Sequence, residues 1–205
     1  MTLHLPDFHT HNTDPSTPNL ALVSSREPMG KLWSVQRLPF EPMAIPQAAE
    51  LAVAVAIGEV GLDRCSDVPM EQQMAYLSEL VAVAEAFGKP LIVHCVRAYP
   101  ELNRELKNFS GKILHHRFSG SIEELANQLT CGRYISFSKV ELERKECLVR
   151  YFADNPEYMC FFALESDDEA VELNVLYAEA AKLLGCELEW LAERLRTNFK
   201  DFLGL

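Results

Sequence analysis

The stretch KPLIVHCVRAYPELNRELKNFSGKILHH, residues 89–116, carries the repeating unit of the fold. It contains an apolar, β-branched run, LIVHC at 91–95, that reads as a buried strand. A segment of helical period follows near 98–108, and then a second apolar run, KILHH at 112–116. Two strands joined through a helix pair in parallel, because a crossover of this length returns the chain to the same end of the sheet. Both runs place histidine at their ends: His94 in the first, His115 and His116 in the second.

The same alternation extends in both directions. Downstream, a helix over 121–132 starts at Ser121 with Glu124 three residues on, a capping-box spacing. The strand YISFS (134–138), a helix near 140–154, the strand CFFALE (160–165) and helices over 168–184 and 187–203 complete the chain, Gly185 ending the first of the two helices. Upstream lies a helix over 69–88 with Pro69 at its start and Gly88 at its end. A helical segment after Pro46 leads into the strand VAVAIGE (53–59). Three further strands read as LHLPDF (3–8), with Pro6 tolerable at an edge or bulge, NLALVS (19–24) and KLWSVQR (31–37). Only a short polar link with Gly30 separates the last two, too little for a helix. Trp33 and the many Phe residues read as core. No internal repeat is visible.

Eight strands, mostly followed by helices, imply an α/β fold: a compact, distorted (β/α)8 TIM-type barrel with helices missing in the first quarter, residues 1–205 forming one domain. The 205 residues are few for a fold that commonly takes about 250. A doubly wound open sheet is the second choice.

The composition is that of an ordinary globular protein, about half hydrophobic, without an apolar run of membrane-spanning length. The N-terminus lacks the pattern of a secretion signal, so the expected location is cytoplasmic. The six cysteines (Cys65, Cys95, Cys131, Cys147, Cys160 and Cys186) form no C-x-x-C pair, exclude zinc-finger spacing, and are expected as buried free thiols. A net charge of −11 repels nucleic-acid phosphates unless a basic patch or bound cations offset it, and no Lys/Arg cluster is present.

In parallel barrels the reacting groups stand at the C-terminal ends of the strands. Those ends carry His9 and His11, Glu59, His94, His115–His116, and Glu165 with Asp167. Residues two apart on a strand project to one side, so His9 and His11 can grip one ion together. Imidazoles with carboxylates suit zinc, manganese, iron or nickel. Two ions about 4 Å apart need a bridging carboxylate, which Glu59 offers. Taken singly, each residue has a plainer reading: His94 as a hydrogen-bonded core histidine, Glu59 as a salt-bridge partner in the barrel mouth. Coincidence at five strand ends favours metal. Only one of the adjacent His115 and His116 can face the mouth.

Read together, these segments resemble the TatD-type metal-dependent hydrolases. DFHTH (7–11) resembles that family's D-x-H-x-H, and IGEVGLD (57–63) its I-G-E-x-G-L-D. KPLIVHCVRAY (89–99) is similar to its fifth strand, HRFSG (116–120) to its H-x-F-S-G, and LESD (164–167) to its E-T-D. The C-terminal LRTNFKDFLGL is similar to its last helix. The resemblance implies two divalent metal ions (zinc, manganese, magnesium, iron or nickel): His9, His11 and Asp167 on one, His94 and His116 on the other, Glu59 bridging. It selects His116 over His115. It gives Asp167 and Glu59 the catalytic roles, Asp167 as general base, and implies phosphodiester hydrolysis of the DNase kind, on DNA or a small phosphodiester. The sequence departs at Leu38–Pro39, where larger members carry a G-x-H-P segment, and its first quarter is compressed, as in a short bacterial subgroup.

Other residues are open to two readings. Arg97, Arg117 and Lys139 could contact a substrate phosphate or pair with carboxylates. Asp7 could accept from a ligand imidazole or serve as a turn acid; Asp63 could cap the loop after Glu59, and Asp168 could start the following helix. Three functions compete: a two-metal phosphodiesterase, a hydrolase of a different small ester or amide, and a metal-binding barrel without turnover.

Overall fold

The structure, a computed structural model, describes residues 4–12, 20–28, 32–39 and 44–205. The expected link with Gly30 lies outside these residues, as do Leu3, Asn19 and Lys31 at the starts of three expected strands. Eight parallel strands run in chain order around one sheet. They are β1 (Asp7–Thr10), β2 (Ala21–Ser25), β3 (Trp33–Val35), β4 (Ala56–Asp63), β5 (Leu91–Val96), β6 (Ile113–His115), β7 (Tyr134–Phe137) and β8 (Phe162–Leu164). The sheet closes on itself: Asp167 N donates to His9 O and His11 N to Asp167 O, both at 3.0 Å. This closure excludes the open doubly wound sheet, and the architecture is the distorted (β/α)8 barrel that the alternation implies.

Among the described residues eight α-helices cover the strands: α1 (Ala48–Val53), α2 (Met70–Phe87), α3 (Tyr99–Glu105), α4 (Ile122–Thr130), α5 (Lys139–Arg144), α6 (Glu146–Asp154), α7 (Leu173–Leu184) and α8 (Leu188–Leu203). Among the described residues no helix lies between β1 and β3. Two apolar layers fill the space between strands and helices. One gathers Trp33, Leu51, Ile57, Leu77, Leu80 and Leu91 under α1–α3. The other packs Phe8, Phe137, Phe152, Phe162, Leu195 and Phe199 under α4–α8, with Phe8 edge-on to Phe199 at 5.1 Å.

The structure corrects the sequence reading in several places. The helix expected over 140–154 is two helices broken at Lys145. The helix expected from 168 starts only at Leu173, so Asp168 does not begin it; residues 166–169 instead turn back to close the barrel, Glu169 N donating to Ser166 O. Ser121 accepts from Glu124 N at 3.2 Å, but Glu124 turns its carboxylate to Asn103 and Gln128 rather than back to the cap. The cysteines are unpaired, yet only Cys95 is buried; Cys65, Cys131 and Cys147 are exposed, because each sits on a loop or on the outer side of an amphipathic helix. No described helix is long and apolar enough to cross a membrane.

Candidate metal centre

β1 extends from Asp7 to Thr10, so the alternation of the pleat turns His9 into the barrel mouth and His11 follows it one residue past the strand. Their rings stand edge to face, centroids 4.9 Å apart. His9 is fully buried and neither ring nitrogen has a hydrogen-bond partner. Its Nε2 lies 3.5 Å from Asp167 Oδ1 and 3.9 Å from Glu59 Oε2. His11 Nε2 lies 3.4 Å from Asp167 Oδ1 and 3.5 Å from Glu59 Oε2, and its Nδ1 lies 3.0 Å from Ser24 O.

Glu59 was expected to end its strand; β4 instead runs on to Asp63, with a register shift against β5 between Ile57 and Val60. This irregularity turns Glu59 into the mouth. Two glycines make it possible. Gly61 has φ +148°, and a Cβ there would stand 1.9 Å from His94 O; at Gly58, φ +150°, a Cβ would stand 2.4 Å from Ile92 O. β4 therefore approaches β5 more closely than any side chain permits. Ser24 and Ser34, on β2 and β3, both donate to Gly58 O (2.7 and 2.6 Å), and Glu59 N donates to Ser24 Oγ (3.0 Å).

The other carboxylate oxygen of Glu59, Oε1, faces a second group: His94 Nδ1 at 2.7 Å on β5 and His116 Nε2 at 2.9 Å just past β6. His115 points the opposite way, against Tyr99 and Phe118, as pleat alternation requires. Burial, then the positive Arg133, push its imidazole down to about 3, so it stays neutral. Glu165, fully buried, places Oε1 3.2 Å from His116 Nδ1 and accepts from Arg117 N at 3.0 Å; Ser136 Oγ donates to its other oxygen. Asp63 Oδ1 accepts from Cys65 N at 2.7 Å and so caps the loop, while Oδ2 stands 3.5 Å from His94 Nε2.

Asp167 adopts φ +51° immediately after the barrel seam. Its Oδ2 accepts from Arg117 Nη1 at 2.9 Å, and Arg117 also faces Glu141 at 3.5 Å and Glu169 at 3.6 Å. Asp7 is a seam residue: its carboxylate accepts from Ser166 N (3.0 Å) and Ser166 Oγ (2.6 Å). Arg97 is exposed beyond β5, and Lys139 starts α5 with Glu143 at 3.8 Å.

The acids and imidazoles in this mouth shift one another strongly. Burial would raise the carboxyl of Glu59, but the imidazoles of His116, His11 and His94 outweigh it and hold the acid well below its usual range. Asp167 is likewise held low against burial by His11 and His9. Asp167, then Glu59, push His11 up to about 10 in spite of burial, and Glu59 with Glu165 hold His116 high. Without a bound cation the imidazoles would have to keep protons for the carboxylates. Separations of 3.4–3.9 Å between His9, His11 and their carboxylates are too long for good hydrogen bonds. They match two ligands each roughly 2.1 Å from a shared ion. The residues thus fall into two groups able to hold divalent cations, His9–His11–Asp167 and Glu59–His94–His116, with Glu59 reaching both.

Sequence reasoning missed Ser24, Ser34, Ser136 and Ser166. Their signal was available: isolated serines facing inward from apolar strands, or next to a ligand, are polar groups whose burial demands a partner.

Comparisons with known proteins bear on the family and the fold. The chain is 29% identical over 198 residues to a protein of Klebsiella pneumoniae named 3'-5' ssDNA/RNA exonuclease TatD, covering 86% of this chain and 73% of the relative. It is 32% identical over 100 residues to the deoxyribonuclease Tat-D of Schizosaccharomyces pombe, covering 46% of this chain and 32% of that protein. The crystal structure of the TatD homologue YjjV of Escherichia coli superposes with a TM-score of 0.78 over all of both chains at 18% identity, a likeness of fold. The sequence model of the TatD-related DNase family matches residues 31–204, so that β3 to β8 and every strand-end group from Glu59 to Asp167 fall within it while β1 and β2, with His9 and His11, precede it, and the chain belongs to that family.

Proposed function

We propose that the protein is a divalent-metal-dependent hydrolase of phosphodiester bonds, a deoxyribonuclease in type. His9, His11 and Asp167 would hold one ion and His94 and His116 a second, with Glu59 placed to serve both. The observation that carries this reading is the division of Glu59: Oε2 faces the two β1 imidazoles and Oε1 faces His94 and His116. A buried carboxylate shared between four imidazoles, one of them (His9) without a hydrogen bond, is a donor set made for two cations. When bound, such a pair supplies an activated water at neutral pH and charge stabilisation for the attacking and leaving oxygens.

The chain's own groups do the rest. Glu165 fixes His116 through Nδ1 and so aims Nε2 into the mouth. Arg117 holds Asp167 Oδ2, leaving Oδ1 toward the histidines; Asp167 accepts the proton of the attacking water. Arg97 and Lys139 stand on the rim where a substrate phosphate would arrive, whereas Arg117 is engaged by carboxylates and serves to position Asp167. The names of the Klebsiella and fission-yeast relatives support a nucleic-acid ester as substrate. Six unpaired cysteines fit a reducing compartment, and we read the protein as cytoplasmic.

The test is metal content and hydrolysis together. Reconstituted with zinc, manganese, magnesium, iron or nickel in turn, the wild type should bind about two ions per chain and cleave bis-p-nitrophenyl phosphate and single-stranded DNA. His116→Ala and Asp167→Ala should each bind about one ion fewer and lose roughly 10³-fold in kcat/KM. Variants as active as the wild type would trace the activity to a contaminant and end the proposal. A fully loaded wild type inert on ester and amide panels would leave a metal-binding barrel without turnover.

A further inference from the structure

Every strand exit from β2 to β7 carries one cation: Arg26, Arg37, Arg64, Arg97, Arg117 and Lys139. On sequence alone this is a basic ring around the mouth, fit to follow a nucleic-acid backbone. The structure cancels most of it. Arg37 gives Nη2 to Glu50 at 2.6 Å and its other nitrogens to the carbonyls of Ala44 and Gln36. Arg64 is held by Glu101 and by Arg97 O. Arg117 is enclosed by Asp167, Glu141, Glu169 and Asp168, all within 3.8 Å. Lys139 faces Glu143. Arg26 has a partner as well. Arg97 forms no ion pair among the described residues and is exposed. The segments after β1 and β3 add nothing basic: 13–19 reads TDPSTPN and 40–43 reads FEPM, one acid in each.

A single-strand-binding groove needs several free cations in a row, usually with aromatic platforms between them. At these exits Arg97 alone, among the described residues, has no partner for its charge, beside a site set in a chain of net charge −11. We propose that the site takes short phosphodiesters, of dinucleotide size, in preference to long single strands, with Arg97 meeting the phosphate next to the scissile one. The inference rests on the phosphodiesterase reading and narrows its substrate class.

The sign of the salt dependence decides it. A nuclease that tracks a strand through phosphate contacts loses affinity steeply as salt rises. This protein should show kcat/KM on an oligonucleotide of about 20 residues that is flat or rising between about 20 and 200 mM salt, because salt screens repulsion. Its kcat/KM on the dinucleotide pTpT should exceed that on the oligonucleotide by about tenfold. Arg97→Ala should lower the pTpT:TpT ratio of kcat/KM by about tenfold, and Arg97→Lys should keep it within about threefold of wild type. As a readout independent of turnover, the metal-free protein should give no anisotropy change with a fluorescent oligonucleotide at low salt. An oligonucleotide preferred over pTpT, with activity or binding that falls steeply with salt, overturns the inference and leaves the phosphodiesterase reading standing. A loaded enzyme inert on pTpT, the oligonucleotide and bis-p-nitrophenyl phosphate alike overturns both.

Discussion

Glu59 occupies the mouth because the residues around it have almost no side chain. Gly58 and Gly61 let β4 press against Ile92 and His94, and the serines of β2 and β3 take up the polar groups this exposes. Gly61→Ala would push a methyl group into His94 O and demand a φ of +148° from an L-residue. Steric and backbone strain should together cost roughly 3 kcal/mol or more, read from the urea midpoint. A loss below about 1 kcal/mol would mean that β4 and β5 can separate without harm. Glu165 makes a different kind of contribution. Glu165→Gln should weaken metal binding about 10- to 100-fold by calorimetry while leaving the far-UV spectrum unchanged, since the amide no longer opposes a charge to His116 Nδ1. The ligand types were legible as residues. The serines that hold them were legible only as polar residues on apolar strands that must find a partner; which partner each finds is decided by a distant strand.

At the scale of elements, two side chains tie helices to strand ends. Gln73 on α2 accepts from Asp63 N (2.7 Å) and donates to Asp63 O (2.9 Å) and Val68 O (2.7 Å), fastening the loop beyond Glu59. Asn198 on α8 donates to Met159 O and Phe162 O, both at 2.8 Å, and fastens the entry to β8. Each is buried, so truncation strands backbone groups away from water. Gln73→Ala and Asn198→Ala should each destabilise by about 2–3 kcal/mol in denaturant titrations, whereas Thr197→Ala, one residue from Asn198 and exposed, should change stability by less than about 0.5 kcal/mol. Equal effects at Asn198 and Thr197 would show that the buried bonds carry no weight. Helix existence was legible from period and caps. The break at Lys145 and the late start of α7 were not: both sit where the chain must turn toward the mouth, and tertiary contacts override local periodicity there.

Across the whole molecule, the strands bring acids and imidazoles from residues 9 to 167 into one cluster, so stability should follow the cation that neutralises it. Chelation should lower Tm by roughly 5–10 °C and re-addition of the metal should restore it. A Tm indifferent to chelator would mean that the cluster holds no ion. Acid should act through His115 as well. Its folded-state pKa, about 3, lies below the ordinary 6.5, so the unfolded chain binds more protons between those values. Stability is fully present above about pH 6.5 and is lost progressively as the pH falls toward 3. In metal-free protein His115→Leu should flatten that loss relative to wild type, because it removes the buried imidazole that gains its proton on unfolding. Parallel pH curves would remove His115 from the account.

The sequence by itself determined the alternation of strands and helices, the parallel barrel, and the six strand-end histidines and acids that are candidate metal ligands. These rest on local periodicity and on side-chain chemistry, which a linear chain displays. Only the tertiary structure decided that Asp7 and Ser166 seal the seam, that Glu59 divides its two oxygens, and that Arg37, Arg64, Arg117 and Lys139 at the mouth meet carboxylates near and far along the chain while Arg97 pairs with none among the described residues. Contacts such as Arg117 with Asp167, fifty residues apart, exist only once the barrel closes, and no local pattern encodes them.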